Sequence, residues 1–425
     1  MTSETPQTAF VWVWLSGHTE PVVAGRVDDV GPFLQFTYGR RYLQRDDAVP
    51  LYLPELPLQS GPQLPPVGFD AHGCIRDAAP DAWGQRVILH RLLGQARDRD
   101  TAEVGLLTYL LASGPDRIGA LDFQESPEAY TPRATGAPLE QLIEAADRVQ
   151  AGQELPDELD RALLPGSSVG GARPKALLND QGRALIAKFS APSDTFPWMG
   201  AEAVAMELAA RAGLNVAPTR LTQSMGHDVL LVERFDRVPD TNQRRMIVSA
   251  LTVLGLHEML VRHGSYAELA DIIRHRFTAP SDTLRELFAR IVFNVLVGNT
   301  DDHPRNHAAF WDGRQLTLTP AYDIAPQPRS GGEAAQGMAI GHTAPGSDDP
   351  TTAPRLSKLS VCLQAADTYQ LDPHEARDLI DRLVTVVREQ YGDVCEAVGV
   401  PPATRGRLWG REIFNPSVFE GYRPA

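Results

Sequence analysis

The stretch "VFNVLVGNTDDHPRNHAAFWDG", residues 292–313, runs from an apolar segment straight into a crowd of acids and imidazoles. Asp301, Asp302, His303, Arg305, Asn306 and His307 stand within seven positions of one another. A further carboxylate, Asp323, follows twelve residues after Trp311 in "LTPAYDIAP". Hard oxygen donors in this number suit a dication, with one carboxylate left over to handle a proton. Chemistry is therefore expected here.

The rest of the chain sets the frame for that cluster. Its 425 residues allow two or three domains with their own cores, and 43% hydrophobic with 22% charged residues is an ordinary globular composition. The net charge of −14 argues against a general nucleic-acid surface, although arginines gather at 26–45 and 404–411. Cys74, Cys362 and Cys395 are far apart with no CxxC pair, which excludes a thiolate zinc site and fits a reducing compartment. "MTSETPQTAF" carries no secretory signature, and no apolar run approaches the roughly 20 residues that span a bilayer. A cytoplasmic protein with no membrane partner is expected.

Along the chain, "AFVWVWLSGHTEPVVAGRV" (9–27) alternates apolar residues about a Ser-Gly-His turn and reads as a β-hairpin. The Pro-rich span 50–66 reads as an irregular crossover. Helices are predicted over 79–94, with Pro80 early and Gly94 as a stop, and over 103–114, then a strand at "RIGALDF" (117–123). "PLEQLIEAADRVQAG" (138–152) is an amphipathic helix. "SSVGGARPKALLNDQGRALIAKF" (167–189) reads as strand, glycine turn and strand. A helix over 201–214 and strands over 217–237 follow. Beyond Arg237 the pattern is chiefly helical: 248–260, 266–276, 283–298 and 373–392. Residues 326–357 look like the loosest stretch, and no internal repeat stands out. The expected units are 1–128, 129–236 and 237–425.

Asp301 and Asn306 stand in a D-x-x-x-x-N relation, the spacing of a protein-kinase catalytic loop, where Asp orients the hydroxyl proton and Asn holds magnesium. Asp323 is placed to supply the second metal carboxylate. Gly170 and Gly171 allow close backbone approach to phosphate, though no Walker A pattern is present. Lys188 in "LIAKF" suits an α/β-phosphate lysine, and Glu202 or Glu207 on the next helix is its expected ion-pair partner. "LLVERFDR" (230–237) reads as a hinge, with backbone groups of Glu233, Arg234 and Phe235 facing adenine. Six features in this order predict an α+β, protein-kinase-like two-lobed fold: a β-rich N-terminal half and an all-α C-terminal lobe.

The motifs "SSVGGARPKALL", "LLVERFDR", "NVLVGNTDDHPRNHAAF" and "LTPAYDIAP" resemble those of the HipA-type serine/threonine toxin kinases, as do "YGRRYL", "APDAWGQR" and "ASGPDRIGALDF" near the N-terminus. The resemblance covers most of the chain, least over 126–165 and 326–357. It implies Asp301 as catalytic base, and Asn306 and Asp323 as magnesium ligands. ATP would be held by Lys188, by the phosphate loop Gly170, Gly171, Ala172, Arg173, Pro174 and Lys175, and by His303 and Tyr322. It also implies autophosphorylation seven residues before Lys175, at Ser168, with Ser167 beside it as the alternative. Pro174 is expected to stiffen that loop, and Asp302 stands where some members carry Gly. The implied partners are a HipB-type helix-turn-helix antitoxin, DNA mainly through it, and an aminoacyl-tRNA synthetase as substrate.

Plainer readings stand beside these. His303 and His307 are four apart but flank Pro304, so His303 is expected to buttress the loop by hydrogen bonds rather than bind a transition metal. Trp12, Trp14 and Trp83 are expected in the core, and the arginines of 26–45 on a solvated face. A small-molecule phosphotransferase shares the Asp, Asn, Asp logic but gives no reason for the N-terminal unit. A catalytically silent antitoxin-binding regulator is the remaining alternative, against which the intact Asp301, Asn306, Asp323 and Lys188 speak.

Overall fold

The computed structural model describes residues 6–93, 104–132, 137–163, 173–191, 194–344, 347 and 349–424. The chain divides into two compact units. One comprises Met1–Ala191, Gln223–Val248 and Phe310–Arg314, and the other Pro192–Thr222, Ser249–Ala309 and Gln315–Ala425. The expected boundaries at 128 and 236 follow sequence pattern and do not coincide with this division.

The first unit holds most of the β-structure. The predicted hairpin forms: Thr8–Val13 pairs antiparallel with Val22–Asp29, Phe10 opposite Arg26 and Val13 opposite Val22. These strands lie in a five-stranded sheet ordered Pro62–Gln63, Leu34–Tyr38, Val22–Asp29, Thr8–Val13, Leu121–Gln124. Alternation puts Val11, Val27, Phe36 and Phe123 at 0% exposure inside. Trp12, Trp14 and Trp83 are buried, as expected of core residues.

A second antiparallel set in this unit joins Lys175–Asp180 to Arg183–Phe189, and Arg183–Phe189 to His227–Glu233. Gln181 and Gly182, both at positive φ (51° and 80°), make the two-residue turn. The glycine turn expected at 170–171 falls outside the described residues. Helix Leu139–Ala151 closes on Gly152 in the left-handed region. Its Leu142, Ile143, Ala146 and Val149 pack with Trp83 onto Ala176, Ala187, Phe189, Val229 and Leu231, covering one face of the strands. The Trp83 indole N–H donates to the Lys175 carbonyl at 2.9 Å, tying the helix Ala82–Leu93 to the same strands.

The second unit is helical. Pro280–Val297 begins with Pro, which has no N–H to lose at a helix start, and buries every residue from Leu287 to Val297. Pro373–Val398 is capped by Asp372, whose carboxylate accepts from the His374 and Glu375 amides at 2.8 and 2.9 Å. Three expectations need correction. The last helix does not stop at Gly392: the apolar stripe continues through Val394 and Cys395, and Gly392 admits Arg405 where a Cβ would lie 2.6 Å from its guanidinium. The helix expected over 248–260 is a short turn, Ala250–Val253, broken by Gly255 at φ +64° and followed by the 3-10 turn Glu258–His263. And 326–357 is not loose throughout: Gln336, Met338, Ala339 and Ile340 are at most 2% exposed, and Ala339 hydrogen-bonds Gly264 and Tyr266. No helix among the described residues is long and apolar enough to cross a membrane.

Candidate active site

The site is built where the buried helix Pro280–Val297 ends. Gly298 terminates it at φ +69°, and a Cβ there would lie 2.3 Å from the Glu412 carbonyl oxygen, so both backbone angle and space demand glycine. The chain then runs without regular secondary structure through Asn299–His303, turns at the 3-10 element Pro304–Asn306 and enters the strand Ala308–Trp311. Asp301 is exposed, while Asp302 is buried.

Asp323 sits at φ +59°, a left-handed conformation that Asp tolerates better than most residues and that often marks functional strain. Beside it, the Tyr322 hydroxyl donates to the Arg305 carbonyl at 2.7 Å. That bond draws the segment carrying Asp323 against the turn carrying Asn306. Burial pushes the Asp301 carboxyl above its ordinary value, and the negative charges of Asp323 and Asp302 push it further against the opposing pull of His303. Asp301, Asn306 and Asp323 are thus brought into one neighbourhood. The Tyr322 hydroxyl is engaged within the fold.

Asp302 is the residue that sequence reasoning left without a role. Its Oδ2 accepts hydrogen bonds from the Asn294 amide and the His307 Nε2, both at 2.7 Å, and from the Tyr266 hydroxyl. Asn299 in turn donates to the Asn294 carbonyl oxygen at 3.1 Å. An asparagine inside the apolar run "VFNVLV" was the available signal, since a buried amide needs a partner. His303 and His307 do not act as a pair. His307 points inward to Asp302, and the Nδ1 of His303 has no hydrogen-bond partner among the described residues, contrary to its expected buttressing bond.

In the other unit, Lys188 is half-buried on Arg183–Phe189, directly opposite the buried Lys175 on the neighbouring strand. Opposed residues of an antiparallel pair share a face, and here it is the face away from the helix-covered core. Pro174, which has no N–H to give, accepts from the Phe189 amide at 3.1 Å and starts this ladder. Arg173 is half-buried; Gly170, Gly171, Ala172, Ser167 and Ser168 lie outside the described residues. Glu202 is 4% exposed on the helix Trp198–Arg211 of the second unit, whereas Glu207 on that helix pairs with Arg211 at 2.9 Å. That leaves Glu202 as the glutamate with a burial to explain.

At the expected hinge the Arg234 side chain has a role of its own. Its amide donates to the Ala184 carbonyl at 2.9 Å, and its guanidinium turns inward to Asp236 and to the Asp116 and Arg117 carbonyls. The Arg234 guanidinium serves the fold. Glu233 is half-buried with Arg183 at 3.6 Å, and the Phe235 ring meets Phe310 edge-on at 5.9 Å.

The chain matches the HipA-like C-terminal domain over residues 167–391. It is 27% identical over 337 residues to Y4mE of Sinorhizobium fredii, provisionally designated a kinase, covering 73% of this chain and 76% of that one. It is 28% identical over 141 residues to the serine/threonine-protein kinase toxin HipA of Shewanella oneidensis, covering 29% of this chain and 33% of the relative. Its fold resembles HipA in the Shewanella oneidensis complex of HipA, HipB and operator DNA, with TM-score 0.67 and 19% identity over 97% of this chain and 98% of that one. A family match across more than half of the residues, on an α+β kinase-like fold, means that this chain belongs to the HipA-type kinases.

Proposed function

We propose that the chain is an ATP- and magnesium-dependent serine/threonine protein kinase, the toxin of a toxin–antitoxin pair. The observation that carries this reading is the gathering of Asp301, Asn306 and Asp323 at one helix end, with Asp301 held exposed and its proton affinity raised. Asp301 would accept the substrate hydroxyl proton as it attacks the γ-phosphoryl group. A raised affinity suits a base that must take a proton and then release it.

The donor set fits magnesium. Asn306 and Asp323 would hold it, and the mutual repulsion of Asp301, Asp302 and Asp323 is what a dication relieves. Among the described residues no three His, Cys, Asp or Glu side chains form a metal cage. Magnesium needs none, because one or two carboxylates, waters and substrate phosphates complete its shell. When bound, it neutralises charge developing on the transferred phosphoryl group. Lys188 and Lys175, facing each other across two strands, would hold the nucleotide phosphates, with 170–175 as the phosphate loop. Glu202 would steady Lys188, and Glu233 and Phe235 would border adenine.

The finer readings rest on the relatives. A HipB-type antitoxin, DNA reached mainly through it, a translation component such as an aminoacyl-tRNA synthetase as substrate, and self-inactivation at Ser168 complete the proposal, with 1–128, 129–236 and 237–425 as its working parts. The acidic charge of −14 supports DNA contact through a partner. The test is incubation with labelled ATP and magnesium, comparing wild type with Asp301→Asn. Label on Ser168 in the wild type alone is expected. Absence of nucleotide binding by either protein would overturn the reading in favour of a silent regulator.

A further inference from the structure

Asp302 and His307 each follow directly on one of the two residues assigned above to catalysis, Asp301 and Asn306. The 2.7 Å bond from the His307 ring to the Asp302 carboxylate therefore closes the loop on its inner side, one residue behind both functional side chains. We propose that Asp302 is a positioning residue that sets the separation of Asp301 from Asn306. This inference rests on the reading of those two residues as base and metal ligand.

Burying a carboxylate costs several kcal/mol unless hydrogen bonds replace its water. Asp302, with its side chain 4% exposed, recovers that loss by gathering three donors onto one oxygen. They come from three places: Asn294 in the last turn of Pro280–Val297, Tyr266 at the first position of Tyr266–Arg276, and His307 at the end of the loop itself. The loop is thus fastened to two helices and to itself through a single atom. Its backbone is gripped as well. A Cβ on Gly337 would lie 2.6 Å from the Asp302 carbonyl oxygen, and one on Gly264 would lie 2.5 Å from the Pro304 ring. The His307 carbonyl accepts from the Ala250 amide at 2.7 Å.

A residue needed only for stability could be apolar, and several buried neighbours are. An oxygen that takes donors from three elements instead fixes distance and angle. Within five residues the loop must put Asp301 outward and Asn306 beside Asp323, so a slip of about 1 Å in either would cost roughly 100-fold in rate.

The test measures kcat, the KM for ATP and thermal unfolding of the full chain in Asp302→Ala, His307→Ala, His307→Gln and Tyr266→Phe, with Asp301→Asn as reference. Asp302→Ala and His307→Ala are expected to lose about 10- to 100-fold in kcat with the KM for ATP within about twofold of wild type. His307→Gln keeps an N–H donor and should recover most of the loss. The double variant Asp302→Ala/His307→Ala should be no slower than either single one, because both break the same bond. If Asp302→Ala does not fold, His307→Gln and Tyr266→Phe decide the matter. His307→Gln as slow as His307→Ala at equal melting temperature would overturn the proposal, as would wild-type kcat in Asp302→Ala or in Tyr266→Phe. An active Asp301→Asn would instead overturn the assignment of the base, so the two failures are distinct.

Discussion

Two buried polar networks, one in each compact unit, solve the same problem in opposite ways. In the first unit, Arg234 meets Asp116 at 3.1 Å and Asp236 at 2.8 Å, and Arg237 meets the same two at 2.6 and 2.8 Å. The Gly119 amide adds a bond to Asp236 at 2.7 Å. Burial pushes the Asp116 carboxyl up, but Arg234, Arg237 and Arg244 overcome it and hold the group well below the usual carboxylate range. Arg244 is brought down to about 10 by burial and by Arg237, and stacks on Trp14 at 3.5 Å. Every acid here has at least one guanidinium against it, and no negative charge is left uncompensated. At the catalytic loop Asp302 has amide, hydroxyl and imidazole partners, and its neighbours Asp301 and Asp323 are acids too. Negative charge is left standing there, and a chain tolerates that where something is to be bound.

The largest effect is expected at the uncompensated site. Asp301→Asn should lower phosphotransfer by about 10²- to 10⁴-fold, read with labelled ATP, while nucleotide binding is largely retained. The self-neutralised network should answer in stability instead. Arg234→Ala leaves the buried Asp236 and the half-buried Asp116 to share Arg237 alone and should cost up to about 3 kcal/mol in urea unfolding. If Arg234→Ala leaves stability intact and abolishes nucleotide binding, the two networks are not of different kinds. Asp116 adds a pH signature. Its folded value is depressed, so the unfolded chain binds the proton more readily and stability rises with pH. The contribution is complete above about pH 4 and lost as pH falls through the folded value.

The contrast also explains what could be read in advance. Asp301, Asn306 and Asp323 stood out because a kinase catalytic loop would need those residue types at that spacing. The hairpin at 9–27 and the helix at 138–152 were legible because periodicity of 2 and 3.6 survives in the letters. Asp302 was not, since Tyr266 lies 36 residues away and the one local sign, Asn294 inside an apolar run, does not say which partner it takes. The inward turn of the Arg234 side chain was not legible either, since its partners Asp116 and Arg117 lie more than a hundred residues away. Residues 334–341 looked loose because their order comes from Gly264, Pro354 and Arg355, all distant in sequence.

A smaller effect should follow from the joint between helix and loop. Gly298→Ala places a side chain in the left-handed region against the Glu412 carbonyl, and should cost about 1–3 kcal/mol in thermal or urea unfolding. Because the strain falls on the loop that carries Asp301, kcat should drop as well. Gly226→Ala, also at positive φ (+81°) but with nothing within 4 Å, should lose stability alone. Equal loss of kcat in both variants would mean that the site feels general destabilisation and not the shape of its loop.

The smallest effect separates the cost of the site from its use. The Asp301 carboxyl is raised by burial and by Asp323 and Asp302, so the folded protein holds its proton to a higher pH than the unfolded chain does. Stability therefore falls as pH climbs from the ordinary aspartate value, about 3.9, through the raised one, and above it the penalty is complete. Catalysis needs the ionised form, so the acid limb of kcat should lie above the range of an ordinary aspartate. The same repulsion that positions that limb weakens the fold at neutral pH. Asp301→Asn removes the charge and keeps the shape, so its melting temperature at pH 7 should rise, by on the order of 1 °C because the residue is exposed and screened. At pH 3, where both states are protonated, the gain should vanish. A variant that melts lower than wild type at pH 7 would show that the carboxylate stabilises the loop, and the distinction between a self-neutralised network and one that carries charge for a ligand would fall with it.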